Sequence, residues 1–340
     1  MKNLTFNLSF ILVIFSLLMG CEKKDSEDDG DDGDTQTTPR LNITWIQKAT
    51  MPTASGWLSP SACVLDDKIY IMGGALDAVT PTNILQVYDP ATDTWETKQP
   101  MNINRWGYAA CVCDGKIYVM GGNEGIGPAL RSIEIYDPQH DSWEMAGNMP
   151  IGRIGFAVCV VENKIYLIGG CGEEPLETFT PALHIFEPST STWSTGAPMT
   201  RERAYLTASA IDNRIYAFGG TAEFPWQGLN YIDEYDIATN TWSEKKNLVV
   251  GRLALASCSV DDKIFCTGGS LNTIQAGKST VEVYFPETDS LVGATGMTQA
   301  RLAHSVCAYN GKIYVFGGCI SPAPWDITSN VTEVGIIESN

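Results

Sequence analysis

One short pattern constrains this chain more than any other feature. Ile69-Tyr70-Ile71-Met72-Gly73-Gly74 recurs at residues 117–122, 165–170, 215–220, 264–269 and 313–318. Its first glycine falls at 73, 121, 169, 219, 268 and 317, a period of 48 to 50 residues. A fixed period of this length marks an array of similar units, each too small to bury its own apolar face and each covered by the next.

Each unit reads strand by strand. A short apolar run, such as Tyr108 to Cys113, is followed by two turn residues: Asp66-Asp67, Asp114-Gly115, Glu162-Asn163, Asp212-Asn213, Asp261-Asp262 or Asn310-Gly311. Asx and Gly tolerate the positive φ that a two-residue hairpin demands. The second strand runs into the glycine pair. A loop leads to a third strand ending in Tyr88-Asp89-Pro90, Tyr136-Asp137-Pro138, Phe186-Glu187-Pro188, Tyr235-Asp236 or Tyr284-Phe285-Pro286. A fourth strand then carries Trp95, Trp143, Trp193 or Trp242, with Leu291 in the fifth unit. Four antiparallel strands repeated six times predict an all-β, six-bladed propeller, where radial repetition protects the sheet edges. The sixth unit lacks its tryptophan strand. A spare one, Ile43 to Gln47 around Trp45, lies at the other end of the chain, so the N-terminal strand is expected to complete the last blade and leave no open edge.

The paired glycines, the Tyr-Asp-Pro turn and the tryptophan that follows resemble the kelch repeat, over essentially the whole of residues 44–340. The resemblance implies a propeller whose loops bind a partner. Some relatives are enzymes. Copper radical oxidases need a pair of metal-bound histidines. Here His140, His184 and His304 are scattered through the repeats, so copper chemistry, and any cofactor or metal, is not expected. The sialic-acid mutarotases are six-bladed kelch proteins that this chain is similar to at repeat level alone.

The segment before the propeller reads differently. Lys2 precedes an apolar run of ten residues from Phe10 to Met19, too short for comfortable membrane spanning. It ends in Leu18-Met19-Gly20-Cys21, which resembles a lipobox. Residues 1–20 are therefore expected to be a lipoprotein signal, with Cys21 lipidated. Residues 21–42 are expected to be an acidic tether without the apolar side chains needed to fold, and residues 43–340 the propeller. This predicts a lipid-anchored monomer of a bacterial cell envelope, at the outer membrane and exposed at its surface or facing the periplasm. The net charge of −18 disfavours phosphate backbones, so nucleic acid is excluded as a partner. The membrane is expected to be reached through the lipid alone.

Of the nine cysteines after Cys21, five share one repeat position: Cys63, Cys111, Cys159, Cys258 and Cys307, with Ser209 in the sixth copy. They read as small buried apolar residues. Cys258 and Cys266 share a hairpin but fall on opposite faces of it. A disulfide framework is not expected, and no CxxC spacing suggests zinc.

The loops after the glycine pairs and those entering the first strands share one face, which holds the longer, variable segments. Binding residues are expected there. Arg105, Arg153, Arg203, Arg252 and Arg301 each lie sixteen residues before a first glycine, with Trp57 at the same offset in the first unit. Two readings stand side by side. The arginines either bond neighbouring backbone and acidic residues as framework, or ring the central opening as an anion-binding mouth. Trp106, Tyr108, Trp226 and Trp325 would then wall a site for a glycan or a protein. An alternative is a mutarotase- or epimerase-like enzyme of acidic sugars, with Glu124, Glu173 or Glu223 as acid and base.

Overall fold

The computed structural model describes residues 40–54, 61–76, 80–125, 127–173, 178–272, 275–320 and 327–338. Five blades are built from consecutive strands. Blade 1 comprises Ser61–Leu65, Lys68–Met72, Leu85–Asp89 and Thr94–Lys98; blade 2, Ala109–Cys113, Lys116–Met120, Ser132–Asp137 and Ser142–Asn148. Blade 3 comprises Ala157–Val161, Lys164–Ile168, Leu183–Glu187 and Thr192–Thr195; blade 4, Thr207–Ile211, Arg214–Phe218, Ile232–Asp236 and Thr241–Glu244. Blade 5 comprises Ala256–Val260, Lys263–Thr267, Val281–Phe285 and Ser290–Ala294. Every pairing within a blade is antiparallel, and the hairpins close in the predicted register; Cys258 faces Phe265 while Cys266 faces Ser257.

Blade 6 holds Ser305–Tyr309, Lys312–Phe316 and Thr332–Ile337, and its outer strand is Ile43–Lys48. Ile43 pairs with Ile337 and Lys48 with Thr332. The Trp45 indole donates to Thr295 O of blade 5 at 3.0 Å. The equivalent bonds elsewhere run from Trp95 to Ala49 O, Trp143 to Gln99 O and Trp242 to Ala197 O, at 2.8–2.9 Å. The N-terminal strand thus makes the same blade-to-blade joint as strands that belong to their own unit. The six innermost strands touch in a closed circuit, blade 6 meeting blade 1.

The burial pattern follows from this geometry. Second strands lie between neighbours on both faces, and Ile-Tyr-Ile-Met is buried throughout, as fully covered strands require. Fourth strands form the rim and alternate between exposed and half-buried residues. The nine described cysteines are free thiols, and Cys63, Cys159, Cys258 and Cys307 each fill an apolar seam beside the innermost strands. Burial pushes the Cys63 and Cys159 thiols up to about 12.

Candidate functional site

The five arginines do not line a mouth. Each is at most 2% exposed and is directed into its own blade. Arg105 Nη1 donates to Gly121 O at 2.7 Å and Ser132 O at 3.3 Å, while Nη2 donates to Glu134 Oε1 at 2.7 Å. Arg203 makes the same contacts to Gly219 O, Tyr231 O and Asp233 Oδ2. Arg252 pairs with Gly268 O and Glu282, and Arg301 with Gly317 O and Glu333. Meanwhile the arginine's own carbonyl accepts from the second glycine of the preceding blade: Gly74 to Arg105, Gly122 to Arg153, Gly170 to Arg203, Gly220 to Arg252 and Gly269 to Arg301, at 2.7–3.2 Å. One residue therefore stitches two blades together, by backbone to one and by side chain to the other. That is the framework reading, and the anion-binding ring is corrected accordingly.

The glycine pair is required by this closeness. At Gly122, φ is +89°, and a Cβ would stand 2.7 Å from Trp106 O; side chains rarely tolerate either condition.

The carboxylate partners Glu134, Asp233, Glu282 and Glu333 are no more than 3% exposed, and sequence reasoning missed them. Glu134, Asp233 and Glu282 stand two residues before the turn aromatic. Two blades depart from the scheme. In blade 1, where Trp57 replaces the arginine, Gln86 replaces the acid and bonds both backbone groups of Thr53. A neutral amide there avoids an unpaired buried charge. In blade 3 the partner of Arg153 is His184 Nδ1. Burial, reinforced by the Arg153 cation, pulls His184 down to about 4, and burial lowers Arg153 to about 10.

Inside the arginines runs a second ring. The residue two places after each arginine has positive φ: Gly107, Gly155, Tyr205, Ala254 and Ala303, at 49–64°. Their backbones bond around the axis, Gly155 N to Gly107 O, Tyr205 N to Gly155 O, Ala254 N to Tyr205 O and Ala303 N to Ala254 O, at 2.6–2.9 Å. Non-glycine residues in this conformation cost on the order of 1–2 kcal/mol each. Below the ring lies a central cavity of about 220 Å³, walled by small residues of the first strands, such as Ser61, Ala110 and Ser257. Ser257 N donates to the Thr207 hydroxyl at 3.1 Å, and its hydroxyl bonds those of Thr207 and Ser209.

The remaining candidates separate into framework and surface. Tyr108 is buried, donating its hydroxyl to Met72 O and accepting from Ser61 N at 3.2 Å. Trp106 packs half-buried against the apolar ring at the mouth. His304 is buried, with Nε2 2.8 Å from the Thr267 hydroxyl. Trp226 packs at a 44° tilt against Tyr205 with centroids 4.9 Å apart, and Phe224, 39% exposed, meets Trp226 edge-on at 6.4 Å. Glu124 and Glu223 are exposed on the loop face. Among the described residues neither forms an ion pair with an arginine of the repeat set. Trp57, Trp325, Cys21 and the side chain of Glu173 lie outside the described residues.

A further residue was not legible as a site. Arg201, beside the repeat arginine of blade 4, stacks its guanidinium on Tyr231 at 4.0 Å and pairs with Glu244. It borders a cleft between blades 3 and 4 on the loop face.

Comparison with known proteins bears on the whole ring. The KLHDC2/KLHL20/DRC7 kelch-repeats domain matches residues 33–170 and 107–318. An F-box/kelch-repeat protein of Arabidopsis thaliana is 43% identical over 56 residues, 16% of this chain and 18% of that protein. The match thus spans less than a fifth of that relative's length.

Proposed function

This chain belongs to the kelch-repeat family, and from that premise we propose that it is a non-catalytic binding module. It engages a protein or glycan through its long-loop face and is held at a bacterial membrane by a lipid on Cys21. Kelch propellers generally mediate protein interactions. The observation that carries the reading is a division of labour. The arginines, their carboxylates, Tyr108 and His184 are engaged by the framework, while Phe224 stands exposed against Trp226, which in turn packs on Tyr205, on the loop face. An aromatic platform on a rigid ring is the kind of surface that anchors a partner.

A photo-crosslinking amino acid tests the face. Placed at Phe224 in intact cells, it should give a discrete adduct; placed at Asp262, in a hairpin turn on the opposite face, it should give none. Adducts from Asp262 alone would refute the assignment. The anchor is tested separately: a palmitate analogue should label the chain and fail to label Cys21→Ser, with solubility following the label.

A further inference from the structure

The cleft between blades 3 and 4 is a cavity of about 570 Å³ on the loop face. Its walls are apolar where Pro181, Ala222 and Leu229 meet, and polar where Arg201, Glu202 and Glu223 meet. Arg201 has no counterpart in the other described units, where Ile103, Ile151, Val250 and Gln299 occupy the same offset before the repeat arginine. Its charge is already matched, by Glu244 and by Asp233 at 3.7 Å. Glu202 and Glu223 are different: both are exposed, and neither is in an ion pair among the described residues. The open charge of the cleft is therefore negative.

Asp233, 1% exposed, keeps Oδ1 buried without a hydrogen bond, and it faces Arg201 Nη1, also buried and unbonded. A separation of 3.7 Å is too long for a hydrogen bond, so the contact is an ion pair that keeps Arg201 occupied from behind the cleft wall. Beside the rim stand Phe224 and Pro225, exposed, and Trp226, half-buried.

We infer that this cleft receives a lysine or arginine side chain from a basic polypeptide segment of the partner. The aliphatic stem would lie along Pro181, Ala222 and Leu229, since such side chains bury their stems and keep their charge at a polar edge. The head would be met by Glu202 and Glu223, and an apolar neighbour would rest on Phe224 and Trp226. An acidic sugar would face two unpaired carboxylates of its own sign. The net charge of −18 also favours encounter with a basic partner. The inference rests on the loop face being the binding face and names what that face takes.

The test uses the full chain and two labelled peptides, Lys-Leu-Phe-Lys repeated twice and its counterpart with Glu for Lys, in fluorescence anisotropy. The basic peptide should bind, weaken with added salt, and weaken at least tenfold in Glu202→Gln/Glu223→Gln, whereas Asp262→Asn on the opposite face should leave it unchanged. The glutamate peptide should not bind. Equal binding of both peptides, no binding of the basic one, or indifference to the double substitution overturns the inference. Loss with Phe224→Ala but not with the glutamate substitutions would sink the cleft while sparing the loop face. Absence of any adduct from Phe224 in cells would sink the loop-face reading itself.

Discussion

Arg105 and Glu134 meet 2.7 Å apart, and neither side chain has any exposed surface. Glu134 is further held by Asn102, whose backbone N–H and side-chain amide both donate to Oε2 at 2.7 and 2.9 Å. Both Arg105 Nη atoms and both Glu134 oxygens are bonded, and the arginine carbonyl also caps Gly74 of the neighbouring blade at 3.2 Å. A charge so placed fastens the ring and is closed off from solvent and from any ligand.

Removing one member should therefore cost far more than removing both. Glu134→Ala is expected to destabilise by about 3–5 kcal/mol, because it strands a buried guanidinium. Arg105→Met/Glu134→Leu should cost less than either single change, since no charge is left unpaired. Denaturant unfolding of the three variants checks this; a double variant as unstable as the sum of the singles would contradict it.

Acid should weaken the fold through two histidines. His184 is held at about 4 and His304 well below 6.5, in both cases first by burial and then by arginine neighbours. The unfolded chain therefore binds protons that the folded chain refuses. This contribution to stability is complete above about pH 6.5 and is lost as pH falls toward about 4. Melting temperature should drop over that window, and His184→Gln and His304→Gln should each flatten the drop. A wild-type profile unchanged by both substitutions would count against these assignments.

The repeat was legible because a two-residue hairpin, a glycine pair and a tryptophan leave their marks at nearly constant spacing. The clasp at Trp45 was legible for the same reason, as a strand missing at one end and spare at the other. The arginine partners were not. Arg105 to Glu134 spans 29 residues, Arg153 to His184 spans 31 and Arg301 to Glu333 spans 32, because the intervening loops differ in length. Offsets counted from the glycines therefore scatter, although the acid two places before Tyr136, Tyr235 and Tyr284 was a usable sign. The side-chain direction was also hidden. Positive φ two residues after each arginine turns the chain so that backbone, not guanidinium, faces the axis. Arg201 stood outside the repeat, and only the folded loops reveal its cleft.

The N-terminal strand should exchange its amide hydrogens as slowly as the outer strands of the other blades. Ile43–Lys48 pairs along its whole length with Thr332–Ile337, and Leu41 bonds Gly293 O and Thr295 N of blade 5 at 3.0 Å. Hydrogen exchange should protect residues 43–48 to the level of Thr94–Lys98, the outer strand of blade 1. Free exchange in 43–48 with protection elsewhere would mean that blade 6 is not closed by it.

The central claim is that the arginine pairs hold the ring while the loop face meets the partner. The most direct measurement is the yield of partner adduct from a photo-crosslinker at Gln227, per folded molecule, well below the melting temperature. The account predicts an unchanged yield in Arg105→Met/Glu134→Leu and a lost yield in Phe224→Ala/Trp226→Ala. A yield lost in the first and kept in the second would contradict it.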